Sequence, residues 1–214
     1  MKGISEIIAA VMIVTITIGL TSTAYIWGAP LIQKRQDATV TERVLEQFSP
    51  TNANSLGKVI ENVANNKGTE SFTTNADGIW VFDENEDSIT FTFTSKSSNI
   101  ASTQNSISLT PGVSCTPTPS PVIGIQGVDS SSVVCVNATN QADFFRITYK
   151  LWFRELDDNP SGINPIGYKI NLVKDPSGLV TTTGKTLTIS YVDSTSQSVG
   201  SKTLITKQIK ILLI

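Results

Sequence analysis

The sequence predicts an α+β protein: a long N-terminal apolar helix followed by an antiparallel β-sandwich of immunoglobulin-like type. The chain opens with an apolar run of about 24 residues, Ile4–Trp27, which holds one ionisable side chain. From residue 79 onward the apolar residues recur at every second position, which is the period of a half-buried strand. With 214 residues, the chain has room for one helix and one domain of about 160 residues. We therefore expect a helix over residues 4–48, a neck and linker over 49–78, and a head domain over 79–214.

The apolar run is long enough to cross a membrane. As a helix rising about 1.5 Å per residue, it would span roughly 36 Å, against a bilayer core of about 30 Å. Beyond Pro30, apolar residues return at Val40, Val44, Leu45 and Phe48, which is the spacing of one helix face. The sequence thus predicts a helix that bends near Pro30 and continues to Phe48 as an amphipathic helix.

Three interpretations of this opening compete. The first is a secretory signal peptide with an apolar core over Ile7–Leu20 and a cut after Ala24. The second is a plain membrane anchor, for which the flanking charges, Lys2 on one side and Lys34 with Arg35 on the other, define no orientation. The third follows from the residues around Gly3.

Lys2 and Gly3 are followed by Ile4-Ser5-Glu6-Ile7-Ile8-Ala9-Ala10. This opening resembles the class III signal and mature start of archaeal type IV pilins and the related archaellins. The resemblance covers about the first 45 residues. It implies a leader of residues 1–3 and a prepilin peptidase that cuts between Gly3 and Ile4, so that the mature protein keeps its apolar helix.

The same resemblance implies a homopolymer, in which the helices bundle as the core of an extracellular filament and the heads cover its surface. It implies an assembly ATPase and a membrane platform as partners, and storage in the cytoplasmic membrane before assembly. The expected role is adhesion or surface attachment, or swimming if the filament is an archaellum. A different possibility is a monomeric, membrane-tethered surface protein whose head binds a sugar or another protein.

Small residues mark one line of the apolar run. Thr15, Gly19 and Thr23 recur at i, i+4 and i+8, where another helix backbone can approach closely. The alternative is an ordinary, weakly hydrophobic span. Glu6 needs a partner inside an apolar helix, and the ammonium group of Ile4 after cleavage is the nearest one. Otherwise Glu6 lies among lipid headgroups or at a solvated filament axis.

The head is predicted from alternating strands separated by turn residues. Ile79–Phe82 and Ser88–Ser95 form a hairpin, and Phe144–Leu156 is the clearest strand, with five apolar side chains on one face. Residues 49–77 are expected to be loop-like, with room for a short turn of helix at Val59–Val63. The other predicted strands are Ser106–Leu109, Val122–Gln126, Ser132–Val136, Tyr168–Val173, Thr186–Val192 and Thr203–Ile214.

Cys115 and Cys135 are the only two cysteines, and both fall in the β region. In an exported chain an even pair predicts one disulfide, whereas two free thiols would suit a cytosolic head. Asn137-Ala138-Thr139 directly after Cys135 is a glycosylation sequon, so Asn137 is a candidate modification site.

The composition argues against catalysis. The chain has no histidine, which removes the usual general base and the commonest metal ligand. It has no glycine-rich phosphate loop, and its acidic clusters at residues 83–87 and 157–158 lack the spacing of a calcium loop. With a net charge of −2 it has no basic face for nucleic acid. We expect a structural protein with no catalytic residue, no cofactor and no metal.

Overall fold

The computed structural model describes residues 2–98, 100, 105–115, 123–159, 162 and 164–213, with side chains from Ile7 onward. The chain begins with helix α1 (Lys2–Phe48), continues with helix α2 (Leu56–Asn66), and is otherwise built of strands. The predicted α+β class, a long apolar helix followed by β-structure, is therefore confirmed.

Helix α1 is one continuous element that includes Pro30, where the sequence predicts a bend. The exposure of its side chains divides the helix into two parts. Residues 7–36 are almost all exposed, and we call this part the protruding segment. Residues 37–48 pack on the strands, with Val44 and Phe48 fully buried, and we call this part the root.

Twelve strands follow in the part of the chain that the structure describes. They are β1 (Thr69–Thr73), β2 (Gly78–Asp83), β3 (Ser88–Ser95), β4 (Ile107–Ser108), β5 (Gly124–Ile125), β6 (Ser132–Gln141), β7 (Phe144–Phe153), β8 (Leu156–Asp157), β9 (Ile166–Lys174), β10 (Thr181–Thr182), β11 (Thr186–Val199) and β12 (Lys202–Leu213).

The strands form two six-stranded sheets. Sheet A has the order β1-β11-β12-β9-β8-β5, and sheet B has the order β10-β2-β3-β7-β6-β4. The head departs from the expected antiparallel arrangement at two pairings, because β12 runs parallel to β9 and β5 runs parallel to β8. The alternating pattern specifies which face of a strand is buried but not the direction of its neighbour. The long β11–β12 hairpin brings β12 beside β9, and this pairing determines the direction.

Both sheets contribute to one apolar core. The predicted alternation is confirmed in β3, where Ile89, Phe91 and Phe93 are buried, and in β7, where the inward row includes Ile147, Tyr149 and Leu151. Sheet A adds its own inward residues to the same cluster, and the root of α1 adds two more. The sheet A members of the core are Phe72, Ile170, Leu172, Leu187, Ile189, Ile209, Ile211 and Leu213.

The segment expected to be a neck carries two ordered elements. In α2, the residues Leu56, Ile60, Val63 and Ala64 recur at i, i+4, i+7 and i+8 and are buried in the core. Strand β1 pairs with β11 at the edge of sheet A. Residues 56–73 therefore belong structurally to the head, and the helical spacing in α2 is the sequence signal that indicates this.

Candidate functional site

The protruding segment of α1 presents a large apolar surface that no other part of the described chain covers. Its large apolar side chains, from Ile7 to Ile32, are between 55% and 79% exposed. They point in all directions around the helix, since a helix turns about 100° per residue and Ile7, Met12 and Ile13 lie on three different sides. A helix with large apolar side chains on every side does not remain exposed to water; it requires lipid or other apolar helices around it.

The length and composition of this segment match those of a membrane-crossing helix. Among the residues that the structure describes, one helix, within Ile7–Phe48, is long and apolar enough to cross a membrane, and its most apolar stretch is not buried inside the protein. A signal sequence close to the N-terminus would pass the same test. The stretch from Ile7 to Ile32, which ends before the charged residues Lys34 and Arg35, corresponds to roughly 39 Å of helix, more than the hydrocarbon thickness of a bilayer.

The root joins the protruding segment to the head through aromatic packing. Phe48, the last residue of α1, is fully buried, and its ring centroid lies 4.6 Å from that of Tyr149 in a stacked arrangement. The rings of Phe91 and Trp80 lie 5.8 Å and 6.0 Å away. The end of the helix is thus a component of the head's core, because it fills space between side chains of sheet B.

Hydrogen bonds extend this junction. The buried hydroxyl of Thr41 lies 3.0 Å from Ser95 Oγ at the end of β3 and 3.2 Å from the Ser97 carbonyl oxygen. The backbone N–H of Lys96 donates to Asp37 Oδ2 at 3.0 Å. The side chain of Gln47 donates to the Thr73 carbonyl oxygen at 2.9 Å. The sequence pattern identifies the apolar face of the root, whereas its partners come from strands far along the chain and carry no local signal.

The predicted packing residues lie along the exposed helix. A Cβ atom at Gly19 would have no neighbour within 4 Å, so this position is open for close approach. The hydroxyl groups of Thr15 and Thr23 donate to the carbonyl oxygens of Val11 and Gly19, each at 2.8 Å. Because these hydroxyls are satisfied within their own helix, they can enter lipid or a helix bundle without an unpaired donor.

The predicted processing site lies at the beginning of α1. Gly3, Ile4 and Glu6 are within the helix, but their side chains are outside the part that the structure describes. The expected pairing of Glu6 with the Ile4 ammonium group therefore stays a prediction.

The disulfide is confirmed. Cys115 and Cys135 are bonded, and the bond attaches the segment after β4 to strand β6. Asn137 lies two residues further along β6, on the same face as Cys135, and is half-buried opposite Thr148 of β7. The core-facing residues of this strand, Val136 and Ala138, point the other way.

Two titratable groups of the head, Tyr149 and Asp175, have pKa values that their structural surroundings shift. Burial raises the pKa of the Tyr149 hydroxyl, which lies in the core. Hydrogen bonds from Ser177 and a pairing with Lys210 lower the pKa of Asp175 to about 2. Among the residues that the structure describes, no three histidine, cysteine, aspartate or glutamate side chains are close enough together to hold a metal ion.

Comparisons with known proteins add no relationship: no family model, no curated protein and no solved structure matches this chain.

Proposed function

We propose that this protein is a structural subunit of an extracellular filament of the type IV pilus kind. Its α1 helices bundle as the filament core, and its heads cover the surface and serve adhesion. The observation that carries the proposal is the protruding segment, an apolar helix exposed on every side and continuous with a root packed into the head.

The chemistry of the helix favours a bundle over a simple anchor. A lone anchor needs only hydrophobicity, whereas this segment carries Thr15, Gly19 and Thr23 in line, with the two hydroxyls bonded to their own helix. Such a line lets a second backbone approach closely. In a bundle each helix would bury its whole apolar length against several neighbours, and this burial drives association outside the membrane.

The root supports a subunit whose head and helix act as one body. Phe48 and Val44 are fully buried, and Asp37 and Thr41 form hydrogen bonds with the end of β3. Helix packing in a core therefore determines where each head lies on the surface. In this proposal the head, with two sheets around one core, is an immunoglobulin-like domain that covers the filament surface.

The resemblance of residues 2–10 to archaeal pilins and archaellins adds the processing step. A prepilin peptidase would cut between Gly3 and Ile4, and an assembly ATPase with its membrane platform would move the subunit from the membrane into the filament. An archaellum filament that drives swimming uses the same helix and is the nearest alternative. A monomeric tether is the second, since length and apolarity alone would satisfy it.

One experiment tests the proposal directly. Material sheared from the surface of cells that express the chain is viewed by electron microscopy, and its main protein is sequenced from the N-terminus. We expect filaments whose subunit begins at Ile4. A soluble protein beginning at Tyr25 would identify an ordinary signal peptide, and a chain that stays in the membrane fraction without filaments would identify a tether.

A further inference from the structure

A cleft lies on the head between α2, sheet A and the turn over residues 126–131. Its volume is about 610 Å³, within the range of about 300–1,000 Å³ that is usual for ligand sites. Its floor is formed by Tyr168 and Ile170 of β9 and by Ile205 and Lys207 of β12, which pair in register as Ile205 with Tyr168 and Lys207 with Ile170. This site belongs to the head, so it does not depend on whether α1 polymerises.

Lys207 interrupts an apolar row. Along β12, the side chains of Ile205, Ile209 and Ile211 share its face, and the last two are completely buried in the core. Lys207 itself is half-buried, so its positive charge loses part of its hydration, which is costly unless a partner compensates the charge. The Nζ atom of Lys207 donates to the neutral Asn65 side chain, with 2.7 Å to its Oδ1 atom. Burial, and then the positive charge of Lys67, lower the pKa of Lys207.

The two carboxylates of the cleft, Glu61 and Asp129, already have ionic and hydrogen-bond partners. Glu61 forms an ion pair with the Lys58 ammonium group at 2.6 Å and accepts a hydrogen bond from the Ser131 hydroxyl group at 2.6 Å. Asp129 forms an ion pair with the Arg154 guanidinium group at 3.5 Å and accepts a hydrogen bond from the backbone N–H of Ile125 at 2.7 Å.

The other two lysines of the cleft have ionic partners. Lys58 pairs with Glu61, and Lys169 lies 4.0 Å from Asp87. Among the residues that the structure describes, Lys207 is therefore the one cation of the cleft lining with no carboxylate within ion-pair distance. A ligand that brings one negative charge would complete the site.

The remaining lining groups suit a molecule rich in hydroxyl groups. Side-chain amides and hydroxyls from Asn65, Gln126, Ser130 and Ser131 surround a floor formed by the Tyr168 ring and two isoleucines. This combination of an aromatic ring with several hydrogen-bonding groups fits the two kinds of surface of a sugar, its apolar ring face and its hydroxyl rim. An extended peptide fits less well. The floor is the face of β9 and β12, and their backbone groups already pair with each other along residues 166–174.

We propose that this cleft binds an acidic saccharide, with the Lys207 ammonium holding the sugar carboxylate and Tyr168 supporting the sugar ring. The head thus has its own ligand site, separate from α1. A sugar carboxylate that displaces or shares the Asn65 contact gives Lys207 an acceptor of opposite charge, which binds the ammonium group more strongly than a neutral amide oxygen does.

The test is a calorimetric titration of the detergent-solubilised full chain with trigalacturonic acid, with neutral maltotriose and triglutamate as the comparison probes. We expect trigalacturonic acid to bind and the other two not to bind. Lys207→Gln should weaken binding about tenfold or more, because it removes the charged donor. Tyr168→Leu should weaken binding by removing the ring. Lys210→Gln is the matched control, since Lys210 lies on the same strand but pairs with Asp175 at 3.0 Å.

The proposal is overturned if trigalacturonic acid fails to bind at millimolar concentration, or if Lys207→Gln binds as tightly as the parent. Equal or tighter binding of triglutamate would assign the cleft to acidic peptides instead. Filament formation by Lys207→Gln is scored in parallel, so that loss of the ligand and loss of assembly are distinguished.

Discussion

At the scale of single residues, Asp87 couples the two sheets and makes the head sensitive to pH. It lies in the turn between β2 and β3 of sheet B with a φ of 51°, and its Oδ1 atom accepts the backbone N–H of Leu172 in β9 of sheet A at 2.5 Å. Burial raises the pKa of Asp87 from 3.8 to about 6, although the Leu172 hydrogen bond and the charge of Lys169 both act to lower it.

This raised pKa has a defined consequence for stability. Between pH 4 and pH 6 the folded state keeps a proton on Asp87 that the unfolded state has released. The folded state therefore binds more protons in this window, and the contribution of Asp87 to stability falls as the pH rises through it. At neutral pH the ionised, buried carboxylate costs at most about 3 kcal/mol.

Asp87→Asn should remove this cost. Asparagine keeps an oxygen to accept the Leu172 N–H and tolerates a positive φ, but it carries no charge. We expect the free energy of unfolding at pH 7 to rise by up to about 3 kcal/mol, and the gain to shrink towards pH 4. Denaturant unfolding of the detergent-solubilised chain at a series of pH values measures it. Asp77→Asn, an exposed carboxyl paired with Lys185, controls for the loss of one charge. An unchanged pH slope in Asp87→Asn would contradict the assignment.

At the scale of elements, the root of α1 is part of the head. Phe48 is buried among Tyr149, Phe91 and Trp80, and deletion of a buried aromatic side chain typically costs about 3–5 kcal/mol. A fragment that begins at Asp37 should therefore unfold cooperatively. A fragment that begins at Ser49 should be less stable by at least about 3 kcal/mol. Urea unfolding followed by near-ultraviolet circular dichroism compares the two.

The same comparison needs a control on the helix itself. Trp27 is 79% exposed on the protruding segment, so Trp27→Ala in the full chain should leave the stability of the head unchanged. Phe48→Ala in the same chain should lower it by the amount expected for a buried ring. Equal stability of the fragments that begin at Asp37 and at Ser49 would show that the core of the head packs fully without the root.

Local patterns account for much of the fold. The alternation in β3 and β7 predicts which side chains are buried, because the period of a strand is a property of its backbone. The pairing of β12 with β9 could not be predicted in this way, since the partner is chosen by the whole sheet. The sequence shows Lys207 as a charged residue in an otherwise apolar row of β12. That Lys207 lines a cleft could not be predicted, because the other walls of the cleft come from α2 and from the turn over residues 126–131.

At the scale of the whole molecule, the protein joins two parts that differ in how their apolar side chains are covered. The head has its own core and one disulfide, between Cys115 and Cys135, whereas the protruding segment leaves its apolar side chains uncovered. The apolar segment must be surrounded either by lipid or by copies of itself. These two environments differ in one respect that a mutation can test: lipid adapts to added bulk, whereas a close contact between two backbones does not.

Gly19→Leu applies that test. It adds bulk at a position that is open in the single chain, and it should abolish filaments if helices meet there. Membrane insertion should be unaffected, because leucine is at least as apolar as glycine and a better helix former. Electron microscopy of sheared material and immunoblotting of the membrane fraction measure the two effects.

Ala10→Leu is the matched control for Gly19→Leu. It adds a similar side chain nine residues earlier, about 180° around the same helix, away from the line of Thr15, Gly19 and Thr23. If close approach is confined to that line, Ala10→Leu should still assemble. Loss of filaments in both variants would mean that the helix is tightly surrounded on all sides. Normal filaments from Gly19→Leu would contradict a helix core built on this line, even with a subunit that begins at Ile4.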